Sequence, residues 1–184
     1  NTANCRIENC YISSFLYGVH EHGAWNSTET IRCDATQHTL NNLEIEAISS
    51  GGAALWAHHC GDLFVNGIRT PSMNANGYGF LLENGCTGFY ATKCNLTSGN
   101  GVLVRNNANL SPVHNPGRLM FDQVLADTSN SFGWQFEVGR GITLNSSWAC
   151  GCQNGPGIVI YQGASEISIL GSYIIGNKQD GIRL

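Results

Sequence analysis

The stretch Gly79-Phe80-Leu81-Leu82-Glu83-Asn84 carries the pattern that decides the fold: a small residue, then apolar, variable and apolar residues, then a polar end. The other copies are Gly18-Val19-His20-Glu21-His22, Ala54-Leu55-Trp56-Ala57-His58, Gly101-Val102-Leu103-Val104-Arg105-Asn106, Gly133-Trp134-Gln135-Phe136-Glu137, Gly157-Ile158-Val159-Ile160-Tyr161-Gln162 and Gly181-Ile182-Arg183-Leu184. Alternation with a period of two is typical of β-strands. Because the pattern returns roughly every 24 residues, the sequence predicts a solenoid.

A second strand-like segment precedes each copy, as in Leu63-Phe64-Val65-Asn66-Gly67-Ile68. Turn-forming stretches such as Asn154-Gly155-Pro156-Gly157 lie between the strands. One repeat therefore has room for two or three short strands but not for a helix of about ten residues. The sequence predicts an all-β fold, a single-stranded parallel β-helix of about seven coils, with residues 1–184 as one domain.

Composition and charge limit the classes of partner. The net charge is −4 and charged residues make up 12% of the chain, so a nucleic-acid partner is not expected. No apolar run approaches the ~18–20 residues that span a bilayer, so we expect no membrane partner. The chain opens on Asn1 and stops inside a repeat at Leu184, and we expect it to be an excerpt of a longer chain.

The sequence contains eight cysteines, which leaves a disulfide framework open as an alternative. Cys10, Cys94 and Cys150 precede repeated glycines by similar distances. We interpret these three as small inward-facing residues, stacked from coil to coil as free thiols. Free thiols are typical of a protein synthesised in a reducing cytoplasm.

Three insertions interrupt the repeat, at residues 23–38, 71–76 and 106–118. The last contains two prolines and no strand pattern, which predicts a loop that leaves the coil. Departures from a solenoid repeat usually build its working surface.

The repeat length, together with the Asn-x-x-Asp-Gly-Ile-x-Leu form of Asn177 to Leu184, resembles the pectin-lyase-like right-handed β-helix superfamily. Within it, the chain looks most like the β-helix body of bacteriophage tailspikes and capsule depolymerases. The resemblance implies right-handed coils, a homotrimer, a location in the virion tail or outside the cell, and a bacterial surface polysaccharide as ligand. The catalytic motifs of polygalacturonases are not matched: Asn1-Thr2-Ala3 lacks the aspartate of Asn-Thr-Asp, and no Asp-Asp occurs.

Aligned coils turn equivalent positions into columns about 4.8 Å apart. If positions one and three after the glycine point inward, the outward fourth column reads His22, His58, Glu83, Arg105, Glu137 and Tyr161. Glu83 and Glu137 would then flank Arg105 with backbones about 10 Å apart, close to the roughly 6.5–9.5 Å carboxyl separation of an inverting glycosidase. We predict Glu83 and Glu137 as acid and base with Arg105 between them. A surface charge ladder is the structural alternative.

Outward aromatic and polar side chains suit sugar binding, because aromatic faces pack against pyranose rings. We predict Trp56, His58, Tyr78 and Tyr161 as substrate-binding residues. The resulting hypothesis is a tailspike-like domain that binds and cleaves a bacterial surface polysaccharide as a glycoside hydrolase or a lyase. The alternative is a non-enzymatic adhesin or structural spike that only binds.

The outward second column places Leu81, Leu103 and Val159 in a non-polar strip. We expect this strip to be exposed in a single chain and to face another protomer of the homotrimer. His20, His22, His58 and His59 with Cys60 match no structural zinc spacing, so the sequence predicts neither a metal site nor a cofactor.

Overall fold

The structure, a computed structural model, describes residues 5–22, 24–25, 32–33, 35–46, 48–97, 99–110 and 113–184. Within these ranges all the regular secondary structure consists of β-strands, which confirms the all-β prediction. Among the same residues there is no helix of the length and hydropathy needed to cross a membrane. Half of the predicted insertion at 23–38, namely residues 23, 26–31 and 34, lies outside the described residues.

The first eleven strands are β1 (Arg6–Glu8), β2 (Tyr11–Ser13), β3 (Tyr17–His22), β4 (Ala24–Trp25), β5 (Arg32–Cys33), β6 (Ala35–Thr36), β7 (Thr39–Asn41), β8 (Glu44–Glu46), β9 (Ala53–His58), β10 (Cys60–Asn66) and β11 (Arg69–Thr70). The remaining strands are β12 (Tyr78–Glu83), β13 (Thr87–Thr92), β14 (Asn95–Thr97), β15 (Asn100–Arg105), β16 (Gly117–Asp122), β17 (Leu125–Asp127), β18 (Trp134–Asn145), β19 (Trp148–Cys150), β20 (Ile158–Leu170), β21 (Tyr173–Ile175) and β22 (Ile182–Arg183).

All of these strands except β4 and β5 form three parallel stacks, whereas β4 and β5 pair antiparallel in a separate two-stranded sheet. Stack A contains β3, β9, β12, β15, the start of β18, the start of β20, and β22. Stack B contains β1, β6, β7, β10, β13, β16 and the ends of β18 and β20, and stack C contains β2, β8, β11, β14, β17, β19 and β21. Stacks A and B join into one 13-stranded sheet because β18 and β20 run through both. The chain visits B, C and A in turn, which is compatible with a parallel β-helix.

The register of stack A is the one that the repeat predicts. Phe80 pairs with Leu55 on one side and with Val102 on the other. Val102 pairs with Trp134, and Trp134 pairs with Ile158. All of these side chains are at most 1% exposed, so the prediction that position one points inward is confirmed.

The repeated glycines are required by close contact between neighbouring strands. A Cβ at Gly79 would lie 2.9 Å from the carbonyl oxygen of Gly101. A Cβ at Gly101 would collide with the carbonyl oxygen of Gly133. Glycine at these two positions therefore allows neighbouring strands to approach closely, because a Cβ there would meet backbone atoms.

At the corner between stacks B and C, each coil has one residue whose backbone adopts the left-handed conformation, and these residues form a column. The column contains Asn9, Asn42, Gly67, Lys93, Gln123, Ser146 and Gly171, all with φ between 47° and 68°. Asparagine and glycine adopt this conformation at low cost, and the other residues adopt it only because the neighbouring coils dictate the corner.

The cysteines do not form one column. Within the described part of the chain Cys5, Cys10, Cys86, Cys94, Cys150 and Cys152 are free thiols. Cys94 is buried just before β14, as predicted, whereas Cys10 at the equivalent position before β2 is exposed. The prediction is wrong for Cys150, which ends β19 on its outward side and donates its thiol to Asp127 at 3.2 Å.

Candidate functional site

The outward columns of stack A bring most of the predicted site residues together. Direct register pairs connect His22 to His58, His58 to Glu83, and Glu83 to Arg105. Glu137 follows Phe136, the residue that pairs with Val104, so it lies on the strand beyond Arg105. The fourth column therefore exists as predicted up to Arg105. Beyond it, the register between β18 and β20 shifts after Phe136, and Tyr161 falls outside the regular pairing.

Glu83 is a buried structural carboxylate in this conformation. Its side chain is 0% exposed. It accepts hydrogen bonds from Trp56 Nε1 at 2.7 Å, from Arg105 Nε at 2.7 Å and from Asn107 Nδ2 at 3.3 Å. A carboxylate with three N–H donors is stable when buried, because each donor replaces a lost water. A substrate oxygen does not reach Glu83 while these contacts persist.

The third predicted insertion covers Glu83. Asn84 Nδ2 donates to the carbonyl oxygens of Asn107 and Leu110 at 3.0 and 2.7 Å, and the Asn107 amide donates to Asn84 Oδ1 at 2.6 Å. The Gly85 amide donates to the carbonyl of His114 at 2.6 Å. These bonds fold the loop after β15 back over the end of β12.

Glu137 has a different environment. It is half-buried and accepts a hydrogen bond from Gln135 Nε2 at 2.7 Å. The two predicted catalytic carboxylates thus flank Arg105 by register, but only Glu137 presents surface to solvent.

The predicted sugar-binding residues fall into two separate places. Trp56 and Tyr78 are half-buried on neighbouring strands of stack A, and His58 is 2% exposed. Tyr161 is 50% exposed on β20, four strands from β9, or roughly 19 Å away.

The predicted non-polar strip is buried within the chain. Leu81 and Leu103 are 2% exposed and Val159 is 7% exposed, so the expectation that a single chain exposes them is wrong. They form an outer apolar cluster with Ala53 and Phe132, packed against Tyr17, Trp56 and Tyr78. These aromatic side chains cover the strip. Assigning residues to the inward or outward side from the sequence pattern does not predict such cover.

Three histidines converge beside Trp56, and the sequence analysis did not pair them. His20 Nε2 lies 2.8 Å from His58 Nε2, and His22 Nδ1 lies 3.1 Å from the same atom. The His20 ring stacks on Trp56 with centroids 4.0 Å apart and planes 8° apart. Aligning the sequence repeats could have revealed this cluster, because the alignment puts His20 opposite Trp56 and His22 opposite His58.

Desolvation makes these imidazoles poor bases, most strongly the buried His58. Desolvation lowers the pKa of His20 and of His22 below the usual value. Desolvation, and next the neighbouring His22, His20 and His59 rings, lower the pKa of His58 to about 3. The cluster is therefore neutral at pH 7, with lone pairs available on its ring nitrogens.

Exposed aromatic side chains that the sequence analysis missed lie on the other two stacks. Trp148 and Tyr173, on adjacent strands of stack C, are 42% and 56% exposed with ring centroids 5.1 Å apart. On stack B, Phe64 stacks on Tyr90 with centroids 5.2 Å apart. Burial alternates along β19, so Trp148 points away from the side of Ala149, the buried residue beside it. The residue types from Ser147 to Cys150 show no polar–apolar alternation that would have revealed this.

The comparisons assign no family. No protein-family model and no curated protein matches the sequence. The functional conclusion therefore depends on the geometry.

Proposed function

We propose that this chain is a right-handed parallel β-helix of about seven coils, of the pectin-lyase-like and tailspike type, that binds a bacterial surface polysaccharide. Three parallel stacks visited in a constant order support the helical path. Parallel crossovers between strands of one sheet are almost always right-handed, which supports the handedness.

The observation that carries polysaccharide binding is the exposed ring pair of Trp148 and Tyr173. Two rings held by adjacent strands present apolar faces to solvent on a charge-poor surface. The C–H face of a pyranose packs against such rings. Gln123 and Ser146 border a shallow pocket with Trp148 and offer hydrogen-bonding groups for sugar hydroxyls.

Binding is tested on an array of purified capsular polysaccharides and lipopolysaccharides, followed by titration of the glycan that gives signal. We expect Trp148→Ala and Tyr173→Ala each to weaken binding about tenfold, or ~1.4 kcal/mol. Phe64→Ala is the matched control, an exposed aromatic residue on stack B, and should bind normally. Absence of binding to every glycan, or equal losses in all three variants, contradicts the proposal.

Cleavage by Glu83, Glu137 and Arg105 is the second candidate, and the register that places both carboxylates beside Arg105 favours it. Hydrolysis requires the loop after β15 to move away from Glu83. A lyase reaction requires a base and a uronate substrate that contacts Arg105. The burial of Glu83 instead supports the adhesin alternative, in which the surface only binds.

An assay of new reducing ends and unsaturated products on the bound glycan separates these alternatives. Cleavage that is lost in Glu137→Gln supports the enzyme. Intact glycan after prolonged incubation with the wild-type chain supports the adhesin. Full cleavage by both Glu83→Gln and Glu137→Gln contradicts this assignment of catalytic residues.

The homotrimer and the location in a virion tail or outside the cell are part of the same proposal. Since the strip of Leu81, Leu103 and Val159 is covered, a trimer uses a different surface. Sedimentation equilibrium should give three times the chain mass of 19.8 kDa, and a monomer at all concentrations would contradict the trimer.

A further inference from the structure

Three imidazoles from two neighbouring strands meet at one point of the outward face of stack A. His20 and His22 alternate on β3, so both side chains point to the same side, and His58 lies beside them on β9. One ligand nitrogen from each ring lies within 4.8 Å of the other two.

The spacing of these nitrogens matches a metal coordination sphere. In a tetrahedral site with Zn–N bonds of about 2.0–2.1 Å, two ligand nitrogens are separated by about 3.3 Å. His58 Nε2 lies 2.8 Å from His20 Nε2 and 3.1 Å from His22 Nδ1. These two distances are therefore within about half an ångström of the tetrahedral value, and the third, between His20 and His22, is at most 4.8 Å.

Hydrogen bonding among the rings is possible in the same geometry, but it uses the nitrogens in pairs. A neutral imidazole nitrogen either donates one N–H or accepts through one lone pair in the ring plane. His20 Nε2 lies 2.8 Å from His58 Nε2, and His22 Nδ1 lies 3.1 Å from His58 Nε2 and 3.2 Å from His58 Nδ1, so each neighbour can bond one nitrogen of His58. A bound cation would instead use one lone pair from each of the three rings.

The surroundings favour a cation and hold the ligands in place. Glu21 and Glu83 are close enough to act electrostatically on His20. Arg105, the nearby guanidinium of the fourth column, is already paired with Glu83. Trp56 fixes the His20 ring by stacking and is itself anchored through its Nε1 to Glu83, so the ligand orientations are set by second contacts.

We propose that His20, His22 and His58 bind a divalent transition-metal ion of the zinc class. His20 and His22 are exposed whereas His58 is buried, so the fourth coordination position opens to solvent. Three protein ligands with an open fourth position are typical of a site that binds water or a further ligand rather than of a closed structural site.

Metal binding is tested on the full 184-residue chain after treatment with a chelator. Titration with Zn²⁺ by calorimetry should show one ion per chain, and Co²⁺ should develop the visible absorption of a tetrahedral nitrogen site. Zn²⁺ should also raise the melting temperature, because the ion binds only the folded chain.

His22→Gln is the decisive variant, because its side chain is exposed and its loss leaves the core intact. We expect its Zn²⁺ affinity to fall at least about tenfold, with an unchanged circular-dichroism spectrum. His58→Ala should lose binding as well. His114→Gln, an exposed histidine outside the cluster, is the control and should bind as the wild type does.

No Zn²⁺ or Co²⁺ binding by the wild-type chain overturns the proposal. Equal affinity of the wild type and the folded His22→Gln variant also overturns it. If His58→Ala does not fold, His22→Gln alone decides the outcome.

Discussion

At the residue scale, Glu83 connects three segments of the chain that are far apart in sequence. Its oxygens accept N–H bonds from Trp56 on β9, from Arg105 on β15 and from Asn107 in the following loop. The carboxylate is buried while Arg105 remains 34% exposed. Glu83 therefore stabilises the fold mainly by accepting hydrogen bonds from these N–H groups. Its negative charge is paired with the partly exposed guanidinium of Arg105.

Glu83→Gln should destabilise the fold by about 2–3 kcal/mol, because the amide removes a charged acceptor from Trp56 and leaves Arg105 without its counter-ion. Guanidinium unfolding monitored by tryptophan fluorescence measures the change. Glu137→Gln, a half-buried carboxylate outside this network, should cost less than about 1 kcal/mol. Equal stability of Glu83→Gln and the wild type would show that the network contributes nothing.

The buried thiols predict loss of stability at alkaline pH. Burial raises the pKa of Cys94 and of Cys152 from 9.0 to about 11, so each remains a neutral thiol in the folded chain. The unfolded chain ionises first. The stabilising contribution is therefore fully present below pH 9 and is lost as the pH rises from 9 to 11.

The pH dependence is measured as the free energy of unfolding at intervals between pH 7 and pH 11. Cys94→Ala should flatten the curve above pH 9 relative to the wild type. Iodoacetamide labelling followed by mass spectrometry gives a second readout: at pH 8 exposed Cys5 and Cys10 should react, and Cys94 and Cys152 should react only after denaturation. Rapid labelling of Cys94 in the folded chain would contradict its burial.

At the scale of elements, the glycine column and the loop after β15 have opposite roles. At Gly79 and Gly101 the absence of a side chain lets neighbouring strands of stack A approach each other. The loop supplies backbone carbonyls to Asn84 and an amide to Glu83, and so closes the outward face of β12 and β15.

Gly101→Ala should destabilise the fold by more than about 2 kcal/mol, because the added Cβ collides with the carbonyl of Gly133, a backbone atom that cannot move without disturbing β18. Gly181→Ala is a matched control in the same repeat position, where the nearest atom is a side-chain carbon at 3.4 Å. Thermal unfolding of both variants measures the difference. Equal melting temperatures would mean that the column tolerates a methyl group.

At the scale of the whole molecule, stability is shared between neighbouring rounds of strands. Central strands are almost wholly buried, as the patterns of β12 and β15 show, whereas β1 and β22 are exposed at the two ends. In such an array each round is held by the rounds on either side of it, so we expect the central rounds to be the most stable part of the described array.

Hydrogen exchange of the 184-residue chain should therefore show a gradient. Amides of β12, β13, β15 and β16 should be protected longest, and protection should fall towards β1–β2 and β21–β22. Exchange followed by proteolysis and mass spectrometry resolves these segments. Uniform protection from end to end would indicate that the array unfolds as one unit.

The same scale shows why the alternation of residues predicted inward positions better than outward ones. Phe80, Val102 and Trp134 are buried because inward residues of stacked strands meet one another in any parallel arrangement with this repeat. Leu81 was assigned correctly to the outward side and was still buried, since Tyr78 and Phe132 pack over it. Side-chain cover depends on contacts between coils and is not a property of one strand.

The sequence by itself determined the repeat, the strand register and the set of residues that face each other, because periodicity and glycine spacing act between adjacent coils. Only the tertiary structure decided which outward groups reach solvent. Glu83 is enclosed by Trp56 and by Asn107 of the loop after β15, whereas Glu137 keeps part of its surface in solvent. Burial and the meeting of side chains depend on distances of a few ångströms between segments, and the order of residues along the chain does not specify those distances.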